Sequence, residues 1–465
     1  MTKRPYVSQA WVWLYVLTLA AWALPLHAQD SSLVLKTDME TLFMMADRES
    51  RKIRLTEQAL QAAQSGAKYA QSLYLPSLSI DLSGSYIGTA LVLGRDFSTS
   101  GETSVILPGH EPIPISNGAQ PTPHWGKSLV VQATQVIYSG GAVTAQMKAA
   151  KLQERIAEFD VERQRQEVRM MLAGYYLELA KLHNQQQVIA QHIFLTQTML
   201  KTMRARHEAG VVLSNDITRY ELQQSELELM QIQLNDAVSI IQHALQTMLH
   251  TDRFLVPDSA SIEALYCQLE QVHNEAIWQD WAAQSNLDIH VANAQQQLAE
   301  QELKATRAAS IPSVTAIVRE QLVGPYTSDF IPVDANINSW FVGIGIHYNL
   351  DALWKNRHAV AQAAARKSAS AEQSAFVKEQ VSNAIHAAYV RFFTAFSEMQ
   401  TQQKQVVLAN QNYDLVMKRY VGDLALLTDL LDASNMKLTA EMALVNARIS
   451  LIFTYYQLKY SIHSL

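Results

Sequence analysis

The chain has 465 residues, of which 48% are hydrophobic and 17% are charged, and its formal net charge at pH 7 is −6. An acidic balance argues against nucleic-acid binding, which needs a basic face. Beyond the N-terminal segment, no apolar run reaches the roughly 18 residues of a membrane-spanning helix, so contact with a bilayer would require strands. The single cysteine, Cys267, excludes an internal disulfide and a paired-cysteine metal site.

Residues 1–28 are predicted to form a signal peptide. Lys3 and Arg4 supply the charged start, an apolar segment follows, and Ala28 is the expected cleavage point. An uncleaved membrane anchor is the alternative interpretation. The first interpretation implies export, and it places this segment outside the fold.

Two strands are predicted in the first half of the chain, at 78–87 and 129–138. Apolar and polar residues alternate in both, more weakly in the second, which is typical of strands with two different faces. Residues 88–127 between them are rich in Gly, Pro, Ser and Thr, and we expect them to form a long exposed loop.

A long helix is predicted from 142 to 207, because this segment lacks proline and contains one glycine, Gly174. Its apolar residues recur at alternating spacings of four and three, which indicates a coiled-coil seam. At about 1.5 Å per residue, this helix would be roughly 100 Å long. A second helix is expected at 214–250. The predicted seam consists of Val161, Val168, Leu172, Tyr175, Leu179, Leu182, Ile189, Ile193 and Leu200.

The second half of the chain repeats this order of elements. Strands are predicted at 313–319 and 339–348, and helices at 355–419 and 428–462. The last strand has an aliphatic face with an aromatic residue at each end, which is typical of a strand that faces lipid. Hairpins of a soluble domain are the alternative. The residues predicted to face lipid are Trp340, Val342, Ile344, Ile346 and Tyr348.

Turns that contain glycine join the helices of each pair. We expect Gly210 and Gly422 in the left-handed conformation, which glycine adopts at low cost. Ser214 or Asn215 would then cap the next helix in the first pair, and Thr428 would do so in the second. The predicted units are a first repeat at 29–250, a linking segment at 251–300 and a second repeat at 301–465.

Four strands cannot close into a barrel, and an open sheet edge in lipid would leave backbone groups without hydrogen bonds. We therefore expect the chain to combine its strands with those of other copies. Two copies would supply eight strands and three would supply twelve, and the larger barrel would begin to enclose a channel. The helices would continue away from the membrane as a tube.

These motifs together resemble the TolC family of outer-membrane efflux proteins over nearly the whole chain after the signal segment. The resemblance rests on LPSLSIDLSGSY and IPSVTAIV at strand starts, on VVQATQVIYSGG, and on the turns AGVVLSNDI and YVGDLALLTDLLDAS. It implies a mainly α homotrimer in the outer membrane, with four strands per chain in a twelve-stranded β-barrel and a long α-helical coiled-coil barrel in the periplasm. It also implies contact with lipid, a periplasmic adaptor, and an inner-membrane pump of the RND, ABC or MFS type. Residues 251–300 would surround the middle of the tunnel.

The resemblance also implies a gate at the periplasmic end. Asp429 and Asp432 match two aspartates that ring the entrance in the family. Asp216 and Tyr420 match an acid and a tyrosine of the same gate. Acids that simply stabilise a helix N-terminus are the alternative for the three aspartates.

The turns themselves match the tips that meet the adaptor in the family, which assigns that role to Gly210, Val211 and Gly422. One position departs from the family pattern. The best-known member has an arginine just after the second glycine, whereas Asp423 and Leu424 follow it here.

Enzyme motifs are missing from the sequence: it contains no HExxH, GxSxG, phosphate-binding loop or paired CxxC. The 14 histidines are scattered, and we expect no metal and no cofactor. The favoured function is a conduit for efflux or type I secretion. A non-conducting periplasmic coiled-coil scaffold, or another structural envelope protein, is the alternative.

Overall fold

A computed structural model describes most of the chain. The predicted signal peptide and most of the predicted loop at 88–127 lie outside the described residues. The described residues are 34–86, 103–105, 113–115, 125–269, 274–324, 326–327, 332–333 and 336–465.

The described part of the chain is mainly α-helical, with strands in both halves. In chain order its elements are β1 (Val34–Thr37), α1 (Met39–Glu49), α2 (Arg51–Ser72), β2 (Ser77–Tyr86), β3 (Thr103–Val105), β4 (Ile113–Ile115), β5 (Trp125–Tyr138), α3 (Ala142–Glu208), α4 (Ser214–Leu249), β6 (Phe254–Pro257), α5 (Ser259–Gln268), α6 (Glu275–Ser285), α7 (Leu287–Ala308), β7 (Ser313–Gly324), β8 (Tyr326–Thr327), β9 (Pro332–Val333), β10 (Ile337–His347), α8 (Ala352–Val421) and α9 (Leu427–Ser461).

Two pairs of long helices dominate the structure. We call α3 with α4 the first hairpin, and α8 with α9 the second hairpin. The 67 residues of α3 and the 70 residues of α8 make each helix about 100 Å long. Along α3 the predicted seam is buried except at Tyr175 and Ile193, which are half-buried. The apolar spacing of the sequence therefore predicted both the helix and the face that it packs.

The two hairpins pack against each other through α3 and α9. Two polar contacts cross this interface. Gln185 Nε2 donates a hydrogen bond to Asn446 Oδ1 at 2.7 Å, and His192 Nε2 lies 2.8 Å from Glu441 Oε2. Because Gln185 and His192 are buried, sliding one helix along the other would leave these polar groups without partners. The contacts therefore fix the axial register of the hairpins.

A four-stranded antiparallel sheet, in the order β10–β7–β5–β2, unites the strands of both halves. The four long strands were predicted from the sequence, although β7 extends five residues beyond its predicted end and β5 begins four residues earlier. Since β5 and β10 lead directly into α3 and α8, the sheet lies at the end of the hairpins opposite to their turns. Among the described residues, β2 and β10 each have one edge that no other strand pairs with.

The two faces of the sheet differ in chemistry. Pairing across the strands places Val342 in one row with Val318, Ala133 and Leu78. The row next to it on the opposite face contains Phe341, Arg319, Gln132 and Ser79. The apolar face includes four of the residues predicted to face lipid, and these are highly exposed in the single chain. They are Trp340, Val342, Ile344 and Ile346.

Two details of the apolar face differ from the alternation predicted by the sequence. Tyr348 lies just beyond the end of β10 and is half-buried. Glu320 pairs directly with Trp340 and Val131, so the apolar face contains a carboxylate. The sequence pattern of 313–319 stopped one residue short of this glutamate.

A small parallel sheet of β1 and β6 packs on the middle of the first hairpin. Its anchor is Tyr176 on α3, which is 1% exposed. The Tyr176 hydroxyl donates to the carbonyl oxygen of Thr37 at 3.0 Å and accepts from the backbone N–H of Asp258 at 3.1 Å. Burial raises the pKa of Tyr176 to about 12, so the hydroxyl keeps its proton at neutral pH. Helix α7 runs through the predicted boundary at residue 300.

A helix able to cross a membrane would need a long and strongly apolar stretch, and none of the described helices has one.

The anchor role of Tyr176 predicts a local effect of removing its hydroxyl. Tyr176→Phe should leave the Thr37 carbonyl and the Asp258 N–H buried without this partner, at a cost of about 1–3 kcal/mol. Hydrogen exchange of β1 and β6 amides should then become roughly tenfold faster. Tyr175→Phe is the matched control, because no described residue bonds to that hydroxyl. Equal protection in the two variants would contradict the anchor role.

Candidate functional site

The turn of the first hairpin ends α3 with two hydrogen bonds that close a left-handed residue. The N–H of Gly210 donates to the carbonyl of His207 at 2.8 Å, and the N–H of Val211 donates to that of Arg206 at 2.9 Å. Gly210 has φ of +80°, as the sequence predicted. This pattern is a Schellman motif, in which glycine is the preferred left-handed residue.

The turn of the second hairpin repeats the motif one residue later than predicted. The N–H of Asp423 donates to the carbonyl of Tyr420 at 3.1 Å, and the N–H of Leu424 donates to that of Arg419 at 2.8 Å. Asp423 is the left-handed residue, with φ of +58°, whereas Gly422 has φ of −87°. The prediction of a left-handed Gly422 is therefore wrong. The prediction assumed that glycine would occupy the left-handed position of the turn, but aspartate also tolerates this conformation.

A hydrogen bond and a buried side chain hold the first turn in place. His207 Nδ1 lies 2.6 Å from the carbonyl oxygen of Val212. The Val212 side chain is buried in an apolar cluster that joins both hairpins. Val211 next to it is 59% exposed, so the tip presents an apolar side chain to its surroundings. We call this cluster the tip cluster; its buried members are Met199, Leu200, Met203, Val212, Tyr220, Leu427 and Leu430.

The second helix of each hairpin begins without the predicted side-chain caps. The residue before α4 is Leu213, and the residue before α9 is Leu426. The predicted caps at Ser214 or Asn215 and at Thr428 are therefore wrong. At the start of α9, Asp429 Oδ2 instead accepts a hydrogen bond from the N–H of Leu426 at 3.1 Å. A carboxylate at the third helical position thus satisfies the N–H of the residue that precedes the helix, which is one half of a capping box.

Asp216, Tyr420, Arg206 and Asp423 meet where the two turns lie side by side. They line a cavity of about 330 Å³ between the hairpins. Arg206 Nη2 lies 2.5 Å from Asp423 Oδ1, and the guanidinium stacks 6.0 Å from the centre of the Tyr420 ring. The structure thus brings together two residues of the predicted gate, Asp216 and Tyr420, with two charged residues that the sequence analysis did not select.

Burial and the neighbouring charges of this cluster shift the pKa of the Tyr420 hydroxyl. Burial raises the pKa of Tyr420, the Arg206 charge lowers it, and the charges of Asp216 and Asp423 raise it again, with a net upward shift. Tyr420 is therefore a neutral hydrogen-bonding group at physiological pH.

Asp429 and Asp432 lie outside this cavity and are both exposed. Their i, i+3 spacing on α9 places the two carboxylates on one face of the helix. Asp429 uses one oxygen to bond the helix start, which is the structural role that the sequence left open as an alternative. Within the described residues, no group of three or more His, Cys, Asp or Glu side chains is arranged to hold a metal ion.

The sequence model of a known family matches this chain over both of its halves. The family is the outer membrane efflux protein family, and the match covers residues 42–250 and 278–461. The chain belongs to the outer membrane efflux protein family. This confirms the resemblance drawn from the strand and turn motifs. Members are outer-membrane channels and not enzymes, and the long hairpins form the periplasmic part.

Solved structures of outer-membrane channels share this fold. VceC from Vibrio cholerae is 16% identical and superposes with a TM-score of 0.70, over 91% of this chain and 96% of that one. The structure of CusC is 14% identical with a TM-score of 0.73, over 92% of each chain. CmeC from Campylobacter jejuni is 14% identical with a TM-score of 0.70, over 92% of this chain and 85% of that one. A comparison with curated protein sequences gives no match.

We predict that substitution of glycine destabilises the first turn but not the second. Gly210→Val places a branched side chain at φ of +80°, which costs roughly 1–2 kcal/mol even though the space around it is open. Exchange of the Val211 amide should become about tenfold faster. Gly422→Ala should leave exchange of the Leu424 amide unchanged, because φ is −87° and the added carbon meets Lys418 O at 3.5 Å, an ordinary contact. A larger effect at Gly422 than at Gly210 would reverse our assignment of the left-handed positions.

Proposed function

We propose that three copies of the chain form a closed channel through the outer membrane. The observation that supports this most is the sheet, which has one apolar face and, among the described residues of a single chain, two outer edges without a partner strand. In a membrane these edges need partners, and β2 of one copy can pair with β10 of the next. Three copies then supply twelve strands, enough to enclose a lumen lined by the polar face.

The hairpins then continue the channel into the periplasm as a helical tunnel. Their turns lie at the far end, about 100 Å from the sheet, so the turns form the periplasmic tip. We propose that Gly210, Val211 and Gly422 contact a periplasmic adaptor there, which connects the tunnel to an inner-membrane pump of the RND, ABC or MFS type. Val211 is one of several exposed apolar side chains at the two turns, and this group supports an interaction surface at this point. The others are Leu213, Val421, Leu424 and Leu426.

We propose that Asp429 and Asp432 of three copies form a ring of six carboxylates at the tip, where they attract cations and repel anions. Asp216 and Tyr420 belong to the packing that holds the ring narrow, since they line the cavity between the two turns. Asp429 accepts the hydrogen bond of the Leu426 N–H with one oxygen, which leaves its second carboxylate oxygen available for this role.

The barrel proposal predicts that the two faces of β10 respond differently to arginine. Ile344→Arg places a charge on the apolar face near the middle of the membrane and should cost about 2–4 kcal/mol. The amount of heat-modifiable trimer in isolated outer membranes should fall. Ser339→Arg is the matched control, because Ser339 lies on the polar face of the same strand. Equal trimer levels in both variants would contradict the lipid-facing assignment.

The gate proposal predicts a change in ion selectivity. Replacing both Asp429 and Asp432 with Ala should weaken cation selectivity and remove block by a trivalent cation added from the periplasmic side. Stability should change little, since helix-start acids contribute about 0.3–1 kcal/mol each. Single-channel recording in planar bilayers measures both properties. Asp236→Ala, an exposed acid on α4 away from the tip, is the control. Equal selectivity and block in the wild type and the double variant would leave both aspartates as helix-start residues only.

A further inference from the structure

An arginine and an aromatic side chain are direct neighbours on the polar face of the four-stranded sheet. Phe341 on β10 pairs across the strands with Arg319 on β7. On this face of the described strands, Arg319 is the only lysine or arginine, and Phe341 is the only phenylalanine, tyrosine or tryptophan. A positive charge and an aromatic ring therefore lie side by side on the face that lines the lumen of the proposed channel.

Arg319 has no acid to pair with in the part of the chain that the structure describes. Its Nε atom is buried without a hydrogen bond, and none of the ion pairs among the described residues includes it. Asp81 on β2 is the acid on the same face, but it belongs to the next row and lies two strands away, about 12 Å along the sheet. Two strands also separate Arg319 from Asp81 of the next copy in the proposed barrel. The charge of Arg319 is thus available to an anion in the lumen.

The strand leaves space beside the Phe341 ring. The next two residues of β10 on this face are Gly343 and Gly345, which have no side chains. A carbon added at Gly343 would lie 4.0 Å from Phe341 Cδ2, and one added at Gly345 would meet only Thr315 Oγ1, at 3.6 Å. The ring itself is 50% exposed. Glycine within a strand often marks a place where another molecule approaches the backbone closely, so a flat apolar group can lie here against the ring.

Closure of the barrel would leave this surface open. In the proposed trimer, β10 pairs with β2 of the next copy, and every residue of β2 on the polar face has a short side chain. Serine and aspartate at these positions are too short to cover a phenylalanine ring. The exposed part of Phe341 therefore stays open to the lumen. These residues of β2 are Ser77, Ser79, Asp81, Ser83 and Ser85.

We propose that Arg319, Phe341 and the backbone at Gly343 and Gly345 form a binding site for aromatic organic anions. The guanidinium binds the carboxylate, sulfonate or phosphate group of the ligand, and the ring contacts its aromatic part. The site rests on the proposed channel function and gives a class to the cargo: small aromatic molecules with an anionic group. It lies about 100 Å from the acids at the tip, which is many Debye lengths, so the two charged regions act independently.

Binding to purified trimers tests the site without requiring conduction. The probe is naphthalenesulfonate, and isothermal titration calorimetry measures its affinity. Two further probes separate the contributions of ring and charge: decahydronaphthalenesulfonate is the saturated counterpart, and naphthylmethylammonium reverses the charge. We expect the saturated probe to bind roughly three- to tenfold more weakly than naphthalenesulfonate, because it lacks the contact between aromatic rings. The cationic probe should not bind detectably.

Variants compared as heat-modifiable trimers locate the binding. Arg319→Gln should weaken naphthalenesulfonate binding at least tenfold, because a hydrogen bond to a charged group is lost. Phe341→Leu should weaken it roughly three- to tenfold and remove the preference over the saturated probe. The double variant Arg319→Gln with Ser128→Arg keeps the charge of the polar face but moves the arginine roughly 16 Å from Phe341, and its binding should stay weak. Asp81→Asn removes the other charge of this face and is the control, with affinity within about twofold of the wild type.

Wild-type affinity in the variant with the relocated arginine would overturn the site, because the overall charge of the lumen would then be sufficient. Equal affinity of the wild type for the aromatic and the saturated probe would also overturn it, and that result needs no variant to fold. Single-channel recording, with naphthalenesulfonate added from the extracellular side, tests the conduit separately. If the trimers bind the probe as expected but no channel conducts, the site stands and the proposed conduit is wrong. Channels that conduct but do not bind the probe would support the conduit and overturn the site.

Discussion

In the part of the chain that the structure describes, β2 and β10 each have one edge without a partner strand, and the rest of the structure depends on this constraint. In a sheet of four strands, only the two inner strands form backbone hydrogen bonds along both of their edges. In an apolar medium, the backbone groups along each outer edge need hydrogen bonds from a strand of another molecule. This need follows from hydrogen bonding and not from any particular side chain. Because β5 and β10 continue directly into α3 and α8, the position of the shared sheet also sets where each hairpin begins.

The two halves of the chain have similar hairpins and turns because the sequence is duplicated. Small differences between the two halves allow specific contacts between them. Both turns use the same backbone motif, but one has glycine and the other has aspartate at the left-handed position. Between α3 and α9, polar pairs such as His192 with Glu441 occur in an otherwise apolar interface. Buried polar contacts add little net stability, yet they permit one alignment and penalise the others. In this fold they decide how the two halves fit together.

Hydrophobic periodicity was sufficient to predict the long helices, the four strands and the face of α3 that is buried, because those features depend on residues close in sequence. The end of α8 was harder to predict. Gly422 is the expected left-handed residue from propensity, but the helix continues through Val421 and the turn falls on Asp423. The contact of Asp423 with Arg206 depends on the packing of two hairpins, which no local pattern encodes. Glu320 on the apolar face was missed for a different reason, since the predicted strand ended at residue 319.

The distribution of packing shows where this molecule can move most easily. The largest core cluster surrounds the middle of the hairpins, where α1, β6 and α5 add their side chains to those of α3 and α9. The tip cluster is separate and small, with cavities beside it. Separating the two turns would therefore disrupt few buried contacts, whereas sliding the hairpins at the level of His192 would separate buried polar partners. Movement therefore costs least between that level and the turns.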